Sequence, residues 1–452
     1  MKWALYNLLF AAVYPFLLPG FLVRMLRRGG YAARMGDRFA LYPVGLFGKN
    51  RSLFDLHASH SNTQTLKHSN NSPIWIHAVS VGEVQVAGQL MREWRKVEPT
   101  VRFCFSTTSS TGWKIAEKEL ASTSSTSSTS QDILIYNPLD FPNFVKSALR
   151  TVRPRAIVLT ESEIWPNIIL QAKKMGIPLF LINARVSDRS APRYRAAKWF
   201  FGEVLSCFTR IFAQSDLDKA RLVAAGAPAD KVEVTGSFKF DVARRNEAKE
   251  KELREWIGEG RILLGGSTWP GEDEVLLGIY SRLLSKAADG NRMTLVIAPR
   301  HFEKADAIEA NIRKAGFVCI RRSKPSKPSK LSKPVYLADT TGELMGLYGI
   351  ADVVFVGKSL CAHGSQNMIE PCLCGKPTLV GPYTENFRPV MSDLLASDAI
   401  IQVKDAEELE EKVRECLGGL GSLEGLGARA KAAVEKRLGV VAKCVSEIRE
   451  AL

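Results

Sequence analysis

Short runs of apolar residues recur along most of the chain, and segments with apolar positions at helical spacing separate them. Runs of this kind, rich in Val, Ile and Leu, are typical of strands buried on both faces of a parallel sheet. The alternation of strand and helix predicts a doubly wound α/β fold. The predicted strands are Pro73–Val79, Val101–Ser106, Ile133–Tyr136, Ala156–Thr160, Leu179–Asn183, Ile211–Gln214, Val232–Thr235, Arg261–Gly265, Thr294–Ala298, Val318–Arg321, Val353–Val356 and Thr378–Val380.

The first apolar stretch, Trp3–Val23, carries no charged residue and is followed by arginines. Its length allows a single membrane span, and the basic residues after it predict that the body of the protein lies in the cytoplasm. A cleaved signal peptide fits less well, because no A-x-A-like site precedes the basic residues. Pro15 and Pro19 leave two alternatives open, a segment lying in the membrane interface and a buried core helix. We expect a membrane anchor over residues 1–28.

Polar and low-complexity segments interrupt the pattern. Residues 52–72 predict a loop, while residues 122–130 (STSSTSSTS) and 323–334 (SKPSKPSKLSKP) predict solvated inserts. A charged helix over 242–257 is expected to connect two domains, because 452 residues exceed what one core usually holds. Helices over 407–417 and 426–448 close the chain.

Composition narrows the class of protein. The net charge is +15, which suits an anionic membrane face or phosphorylated substrates, and no nucleic-acid-binding signature is present. The eight cysteines form no CxxC and predict reduced thiols, and the six histidines form no HExxH, so we expect no zinc site.

One stretch, residues 342–382, has the pattern of a nucleotide-binding half-domain. It predicts a helix over 342–348, a strand, a Gly/Ser-rich loop and a helix opening at Glu370-Pro371. Backbone N–H groups at the start of that helix would face an anion, which the glycines let approach. Pro371 suits the first helical position. Glu370 would accept hydrogen bonds from both ribose hydroxyls. The alternative is an ordinary strand–loop–helix whose acid favours the helix dipole.

Two further groups of acids follow predicted strands. Glu83 lies after a strand and a glycine, where a carboxylate can act as general base, although an acid at a helix start has the same position. Glu161 and Glu163 end an apolar strand beside Trp165, and one of them could stabilise a cationic transition state or orient a hydroxyl. A solvated strand end is the alternative.

Other polar residues share this placement. Lys239 lies between two phenylalanines, where it either alternates outward on a strand or reaches a phosphate. Ser267-Thr268 and Pro299-Arg300-His301 also follow strands, and Arg is a natural clamp for phosphate oxygens. Because all these residues lie at carboxyl ends of predicted strands, they predict an active site between the two halves. Asp216-Leu217-Asp218 is better explained by helix capping than by metal binding.

Nine motifs occur in an order that resembles the Kdo transferases, the 3-deoxy-D-manno-octulosonic acid transferases of lipopolysaccharide synthesis. They are HAVSVGEV (77–84), ESEIWPN (161–167), NARVSDRS (183–190), AQSDLDKARLVAAGAP (213–228), VTGSFKFD (234–241), GGSTWPGEDE (265–274), APRH (298–301), DTTGEL (339–344) and QNMIEP (366–371). The resemblance covers nearly the whole chain, and the apolar start followed by GYAARMGDRF is similar to that family too.

The resemblance implies a GT-B architecture, with two Rossmann-like domains facing an interdomain cleft. The domains would be a membrane anchor (1–28), an acceptor-binding domain (29–245), a CMP-sugar-binding domain (246–430) and a final helix packing back on the first domain (431–452). It further implies inverting transfer of Kdo from CMP-Kdo to a lipid A precursor, lipid IVA, without a metal or other cofactor. The expected partners are CMP-Kdo, the lipid A precursor and lipids of the bacterial inner membrane, and the catalytic domains would face the cytoplasm.

The resemblance also implies roles for single residues. Glu83 would be the general base, and Glu161 and Lys239 would stabilise the transition state. The segments matching CMP-binding positions are Pro299, Arg300, Thr341, Gly342, Glu343, Asn367, Met368, Ile369 and Glu370. Ser267, Thr268 and His301 are possible donor contacts.

The chain departs from the family pattern at several positions. Residues 364–371 read GSQNMIEP where Gly-Gly-His-Asn-Pro-Leu-Glu-Pro is usual, Lys358 replaces a usual second glycine, and Trp269 replaces a common His. Asn367 and Glu370 remain, so we expect ribose binding to remain. Two rival functions stay open: another GT-B transferase using a different nucleotide sugar on a lipid acceptor, and a membrane-attached scaffold that is not an enzyme.

Overall fold

The predicted apolar runs form two β-sheets, each of seven parallel strands. The computed structural model describes residues 2–28, 32–43, 45–47, 72–123, 132–241, 246–286, 293–324, 333–418 and 425–452. Contacts divide the chain into a first domain, residues 1–238 with 439–452, and a second domain, residues 239–438.

The first domain is built on a sheet of order β3-β2-β1-β4-β5-β6-β7. Strand β1, IWIH, is buried along its whole length, and helices cover both faces of the sheet with two apolar clusters. The elements are α1 (Lys2–Arg28), a 3-10 segment (Ala32–Phe39), β1 (Ile74–His77), α2 (Val81–Val97), β2 (Phe103–Thr107), α3 (Ser110–Thr123), β3 (Ile133–Tyr136), α4 (Pro142–Val152), β4 (Ala156–Thr160), α5 (Pro166–Lys174), β5 (Leu179–Ala184), α6 (Ala191–Ala196), α7 (Lys198–Ser206), β6 (Arg210–Ala213), α8 (Asp216–Ala224), a 3-10 turn (Ala229–Lys231) and β7 (Val232–Val234).

Helix α1 packs against the first domain through its polar and aromatic side chains. Tyr6 Oη donates to Asp140 Oδ2 at 2.9 Å, and the rings of Phe10 and Phe141 lie 5.0 Å apart. Its other face exposes apolar side chains, among them Leu8 and Phe16. Of the helices that the structure describes, none combines the length and apolar character needed to cross a membrane.

The second domain repeats the plan with the sheet order β10-β11-β9-β8-β12-β13-β14. A 3-10 turn (Phe238–Phe240) leads into it from the first domain. Its elements are α9 (Glu247–Ile257), β8 (Arg261–Thr268), α10 (Glu272–Lys286), β9 (Met293–Pro299), a 3-10 turn (Phe302–Lys304), α11 (Ala305–Lys314), β10 (Val318–Arg321), β11 (Pro334–Leu337), α12 (Leu344–Ile350), β12 (Val353–Val356), α13 (Ile369–Leu373), β13 (Thr378–Val380), a 3-10 turn (Glu385–Phe387), α14 (Arg388–Ala396), β14 (Ile401–Gln402), α15 (Ala406–Gly418) and α16 (Leu426–Glu435).

The last helix, α17 (Val440–Glu450), returns to the first domain, where its buried apolar face packs on α2. The sequence predicts one helix over 426–448, and this prediction is wrong. The chain leaves the helical path after α16, and Gly439 takes a left-handed φ of +83° that an L-residue adopts only with strain.

The two-domain parallel α/β architecture is confirmed, and the differences concern short elements. Strands β11 and β14 are absent from the prediction because one follows the SKP-rich insert directly and the other has only two residues. The helix predicted over 342–348 forms over 344–350. The connecting helix begins at Glu247 behind an Asn246 cap. Residues 242–245 and most of the three predicted loops lie outside the described residues. All eight cysteines are free, and Cys361 is exposed.

Candidate active site

Glu83 lies in the turn from β1 to α2 and is held by a capping box. Ser80 is the N-cap, its Oγ accepting from the Glu83 backbone N–H, and the Glu83 carboxylate accepts from the Val79 N–H at 2.8 Å and from Ser80 Oγ at 3.0 Å. The side chain is 7% exposed. Thr160 Oγ1, from the end of the neighbouring β4, lies 3.4 Å away. The helix-start alternative therefore describes the contacts correctly, and the same contacts fix a buried carboxylate at the edge of the sheet.

Glu161 follows β4 in a left-handed conformation, with φ of +49°. Arg185 Nε lies 3.1 Å from Glu161 Oε2, and Asn183 Nδ2 donates to Oε1 at 3.3 Å. Asn183 is itself left-handed, at φ +51°, and its Oδ1 accepts from the Phe238 N–H. Two strained residues at neighbouring strand ends thus point a paired carboxylate toward the same edge as Glu83.

Glu163 completes the group with only one close donor among the described residues, Trp165 Nε1 at 2.9 Å. Burial, followed by the charges of Glu83 and Glu161, raises the pKa of the Glu163 carboxyl to about 7. A carboxyl with this pKa exchanges a proton near neutral pH.

His77 ends β1 beside this carboxyl. Its Nε2 lies 3.8 Å from Glu163 Oε2, and its Nδ1 lies 2.8 Å from Ser106 Oγ. Burial lowers the pKa of His77 to about 4, so the ring is neutral at pH 7. Sequence reasoning assigned His77 no role, although a histidine inside the apolar run IWIHAV was the available signal.

A cavity of about 280 Å³ opens beside Glu163 in the first domain. Its walls are mainly aromatic and come from α1, the β4–α5 turn, α6 and α7. The lining includes Tyr6, Trp165, Tyr194, Phe200 and Phe201. The N-terminal helix and the carboxylate group therefore share one apolar cavity.

In the second domain, the loop after β12 is organised by a carboxylate from the chain itself. Glu272 is fully buried, and its two oxygens accept from the backbone N–H groups of Trp269, Lys358, Ser359, Leu360 and Cys361 at 2.8–3.4 Å. These contacts concern the loop after β12, so the expectation that N–H groups at the start of the following helix face an anion stays a prediction. The Glu272 carboxylate accepts the hydrogen bonds of this concave ring of N–H donors. Because Glu272 and the loop are far apart in the sequence, the sequence alone does not indicate the contact.

Asn367 and Glu370 lie where the resemblance implies ribose binding. Asn367 Nδ2 donates to Glu370 Oε1 at 3.1 Å, while its Oδ1 caps the Ile369 N–H at 3.0 Å. Burial raises the pKa of the Glu370 carboxyl, and the Asn367 hydrogen bond opposes the shift. Met368 and Ile369 point into the apolar core, so only their backbones can face a ligand. Helix α13 begins at Ile369, so Pro371 is its third residue, where the sequence predicted the first.

Glu343 precedes the first residue of α12, and its side chain makes no capping hydrogen bond to that helix. Its carboxylate accepts from Arg322 Nε, from Thr340 Oγ1 and from Lys249 Nζ. Burial alone would raise its pKa, but these hydrogen bonds lower the pKa of Glu343 to about 2. Thr341 and Gly342, beside it, are exposed. Glu343 therefore stays ionised and fixes the turn that presents its two neighbours.

The remaining predicted residues fall into distinct surroundings. Lys239 lies on a 3-10 turn, so the outward-alternating strand position is wrong; its Nζ donates to the Asn386 carbonyl at 3.0 Å and lies 4.4 Å from the Phe387 ring centre. Arg300 is exposed, and its N–H donates to the Thr268 carbonyl at 3.0 Å. Ser267 is left-handed, at φ +52°.

Asp216-Leu217-Asp218 lies at the start of α8. The capping interpretation of Asp216-Leu217-Asp218 is confirmed, because Ser215 Oγ accepts from the Asp218 N–H, and Asp218 Oδ1 accepts from the Val186 N–H at 2.9 Å. Across the part of the chain that the structure describes, no three His, Cys, Asp or Glu side chains form a group that could hold a metal.

Solved structures of similar architecture identify the fold. A glycosyltransferase from Rickettsia africae is 14% identical and matches with a TM-score of 0.54, covering 85% of this chain and 99% of that one. A UDP-GlcNAc 2-epimerase from Neisseria meningitidis is also 14% identical, with a TM-score of 0.53, covering 82% of this chain and 100% of that one. At this identity the likeness shows the fold alone, a pair of α/β domains of the GT-B glycosyltransferase kind.

Sequence comparison identifies the family within that class. Residues 34–242 match the family model of the 3-deoxy-D-manno-octulosonic-acid transferases. A 3-deoxy-D-manno-octulosonic acid transferase from Haemophilus influenzae is 34% identical over 360 residues, covering 78% of this chain and 81% of the relative. One from Bordetella pertussis is 33% identical over 384 residues, covering 84% and 87%. The chain belongs to the Kdo transferase family and is a glycosyltransferase, so the non-enzymatic scaffold is excluded.

Proposed function

We propose that this enzyme transfers Kdo from CMP-Kdo to a lipid A precursor of the lipid IVA type in lipopolysaccharide synthesis. The observation that carries the proposal is the buried, geometrically fixed Glu83, which occupies the family's HAVSVGEV motif at the carboxyl end of β1. The chain's membership of the Kdo transferase family supports the same donor sugar.

The reaction follows from the roles of the carboxylates. Glu83 takes the proton of the acceptor hydroxyl, whose oxygen attacks the anomeric carbon of Kdo on the face opposite the phosphate. The new glycosidic bond forms as the bond to CMP breaks, so the configuration inverts and CMP leaves as an anion. Glu161 stabilises the positive charge that develops on the sugar, and Lys239 stabilises the negative charge on the departing phosphate. Each of these steps uses side chains of the chain itself.

The donor nucleotide is assigned to the second domain. Asn367 and Glu370 would accept and orient the ribose hydroxyls, because both side chains are half-buried and already hydrogen-bonded to each other. Arg300, exposed at the end of β9, would bind the phosphate. Pro299, Thr341, Gly342 and Glu343, with the backbones of Met368 and Ile369, would shape the cytosine site.

The lipid acceptor is assigned to the first domain and to a membrane surface. Exposed apolar side chains of α1 and the chain's positive charge are the two properties that favour an anionic bilayer. We propose that α1 lies on the cytoplasmic face of the bacterial inner membrane, with the aromatic cavity beside Glu163 open to the acceptor.

A radiolabel transfer assay tests the proposal, using CMP-Kdo generated in the reaction and a tetra-acylated lipid A precursor. Glu83→Gln keeps the side-chain shape but removes the base, so we expect transfer to fall by about 10²–10⁴-fold while CMP still binds. Glu117→Gln, an exposed acid on α3, is the matched control and should transfer normally.

The outcomes separate the alternatives. Absence of transfer by folded wild-type protein that binds CMP would favour a different nucleotide sugar. Full activity of Glu83→Gln would remove Glu83 as the base.

A further inference from the structure

The second domain contains a cavity of about 260 Å³ that the roles assigned above leave largely unused. It lies beyond the carboxyl ends of β8 and β9, with α10 and α11 as walls. Thr268 and Pro299 line it from the strands, and Asp273 and Asn311 line it from the helices. The volume is below the range of pockets that hold drug-sized ligands, so it suits one sugar ring better than a whole nucleotide sugar.

An aromatic and cationic wall closes one side of this cavity. The rings of Trp269 and His301, both lining residues, lie 4.7 Å apart, and Lys358 Nζ lies 4.8 Å from the centre of the Trp269 ring. Lys358 and Trp269 are two of the positions at which this chain departs from the family motifs. The two side chains that differ from the family motifs are therefore in contact with each other.

The wall is rigidly built. Glu272 Oε2 accepts from the backbone N–H groups of both Trp269 and Lys358, each at 2.8 Å, and Glu272 is fully buried. Lys358 holds a left-handed φ of +56°, which costs energy for a lysine. The strained lysine therefore presents its ammonium group to the indole from a fixed backbone.

The charged groups around the cavity define the ligand chemistry. Lys304 lines it, and Lys358 Nζ contacts the indole of the lining residue Trp269, so positive charge is available for a carboxylate. Asp273 and Glu274 also line it, and Asp273 Oδ2 accepts from Asn311 Nδ2 at 2.9 Å. Carboxylates and an amide are natural partners of sugar hydroxyls. The combination matches a polyhydroxylated sugar acid.

We propose that this cavity binds the sugar-acid part of the donor, and that the Lys358–Trp269 pair sets donor specificity in this chain. The inference rests on the proposed function, because it deepens the donor site of that reaction. Pro299 lines the cavity and matches a CMP-binding position, which places the sugar next to the nucleotide. Trp269 packs against the sugar ring, while Lys304 and Lys358 attract its carboxylate.

Kinetics and binding on the full chain test the proposal with Trp269→Ala and Lys358→Gly. We expect each variant to raise the KM for CMP-Kdo by about tenfold, since Trp269→Ala removes the aromatic surface that packs on the sugar ring and Lys358→Gly removes a positive charge that attracts its carboxylate. The Kd for CMP, measured by calorimetry, should stay within about twofold, because CMP lacks the sugar. Lys314→Ala, which removes an exposed charge at the far end of α11, is the matched control and should change neither constant.

A second readout does not depend on turnover. Saturation-transfer NMR with free Kdo should show contact with the wild-type protein and lose it in Trp269→Ala. An equal rise in the Kd for CMP and the KM for CMP-Kdo, or no change in either, would overturn the sugar subsite. Wild-type protein that binds free Kdo through Trp269 but transfers none from CMP-Kdo would overturn the proposed function and leave the subsite standing.

Discussion

Two glutamates, the half-buried Glu163 in the first domain and the buried Glu343 in the second, show how differently the same type of side chain is used. Glu163 has Trp165 as its close donor and two carboxylates as neighbours, and burial with those charges raises its pKa to about 7. Burial also raises the pKa of Glu343, but hydrogen bonds from Arg322, Thr340 and Lys249 overcome that effect and lower its pKa to about 2. The cationic donors Arg322 and Lys249 account for the opposite direction of the shift in Glu343.

The carboxylates of the two domains lie in different electrostatic environments. In the first domain, like charges are crowded at the end of β4 without enough cations, which is the environment of groups that take and release protons. In the second domain, Glu272 and Glu343 accept hydrogen bonds from several donors each and fix the loops that they contact. Glu272 is the extreme of the second kind, because five backbone N–H groups converge on it.

The largest effect on stability is expected for Glu272→Ala. The change leaves buried N–H groups of the β12 loop without an acceptor, so the free energy of unfolding should fall by at least about 3 kcal/mol. Urea unfolding followed by circular dichroism measures the loss, and Glu259→Ala, an exposed acid after α9, is the control. A loss below about 1 kcal/mol would mean that Glu272 does not hold the loop.

Glu163 should give the first domain a stability that falls as pH rises. Its folded pKa of about 7 exceeds the ordinary value of 4.5, so the folded state holds a proton that the unfolded state has lost in that interval. The contribution is therefore complete below pH 4.5 and is lost as pH rises through 7, with a size on the order of 3 kcal/mol.

Urea unfolding of wild type and Glu163→Gln at pH 5 and pH 8 measures this contribution. The difference between the two proteins removes the similar slope expected from Asp140, whose pKa burial also raises to about 7. Glu117→Gln should keep the wild-type slope. If the free energy of unfolding changed equally with pH in wild type and Glu163→Gln, Glu163 would not be the source of this pH dependence.

Glu343 should show the opposite sign. Its pKa is depressed to about 2, so its contribution is present above pH 4.5 and is lost as pH falls toward 2. At pH 7, Glu343→Gln should lower the free energy of unfolding by about 2 kcal/mol, since charge-assisted hydrogen bonds to Arg322 and Lys249 are lost. Glu259→Gln serves as the control. A variant as stable as wild type at pH 7 would show that the three donors contribute no net stability.

The sequence predicts which strand ends carry chemistry, and it does so for a physical reason. Parallel strands place their carboxyl ends at one edge, so Glu83 and Glu161 could be assigned to one site, and Asn367 and Glu370 to another. The contacts of Glu272 could not be predicted from the sequence. They join Glu272 to the loop after β12, more than 80 residues away, and they use backbone N–H groups, which every residue type except proline has.

Residues in the left-handed backbone conformation also could not be predicted from the sequence. Glu161 and Ser267 adopt positive φ although neither is glycine or asparagine, and local sequence gives no reason to expect it. The tertiary contacts that enforce these conformations appear only once the strands have assembled, and they are what aims the side chains. The sequence therefore predicts the strand end at which a candidate residue lies, but it does not predict the orientation of the side chain.

The smallest expected effect on stability is that of replacing Lys358, which lies beside the proposed donor site. In Lys358→Gly, relief of the left-handed backbone stabilises the loop, while the added chain flexibility and the lost contact with Trp269 offset that gain. The free energy of unfolding should therefore change by less than about 0.5 kcal/mol, which thermal and urea unfolding can resolve against Lys314→Ala. A loss above about 2 kcal/mol would mean that Lys358 acts as part of the loop's structure, as Glu272 does. Unchanged stability would place Lys358 with the residues held in strain for ligand contact, so a tenfold rise in KM could then be assigned to the sugar.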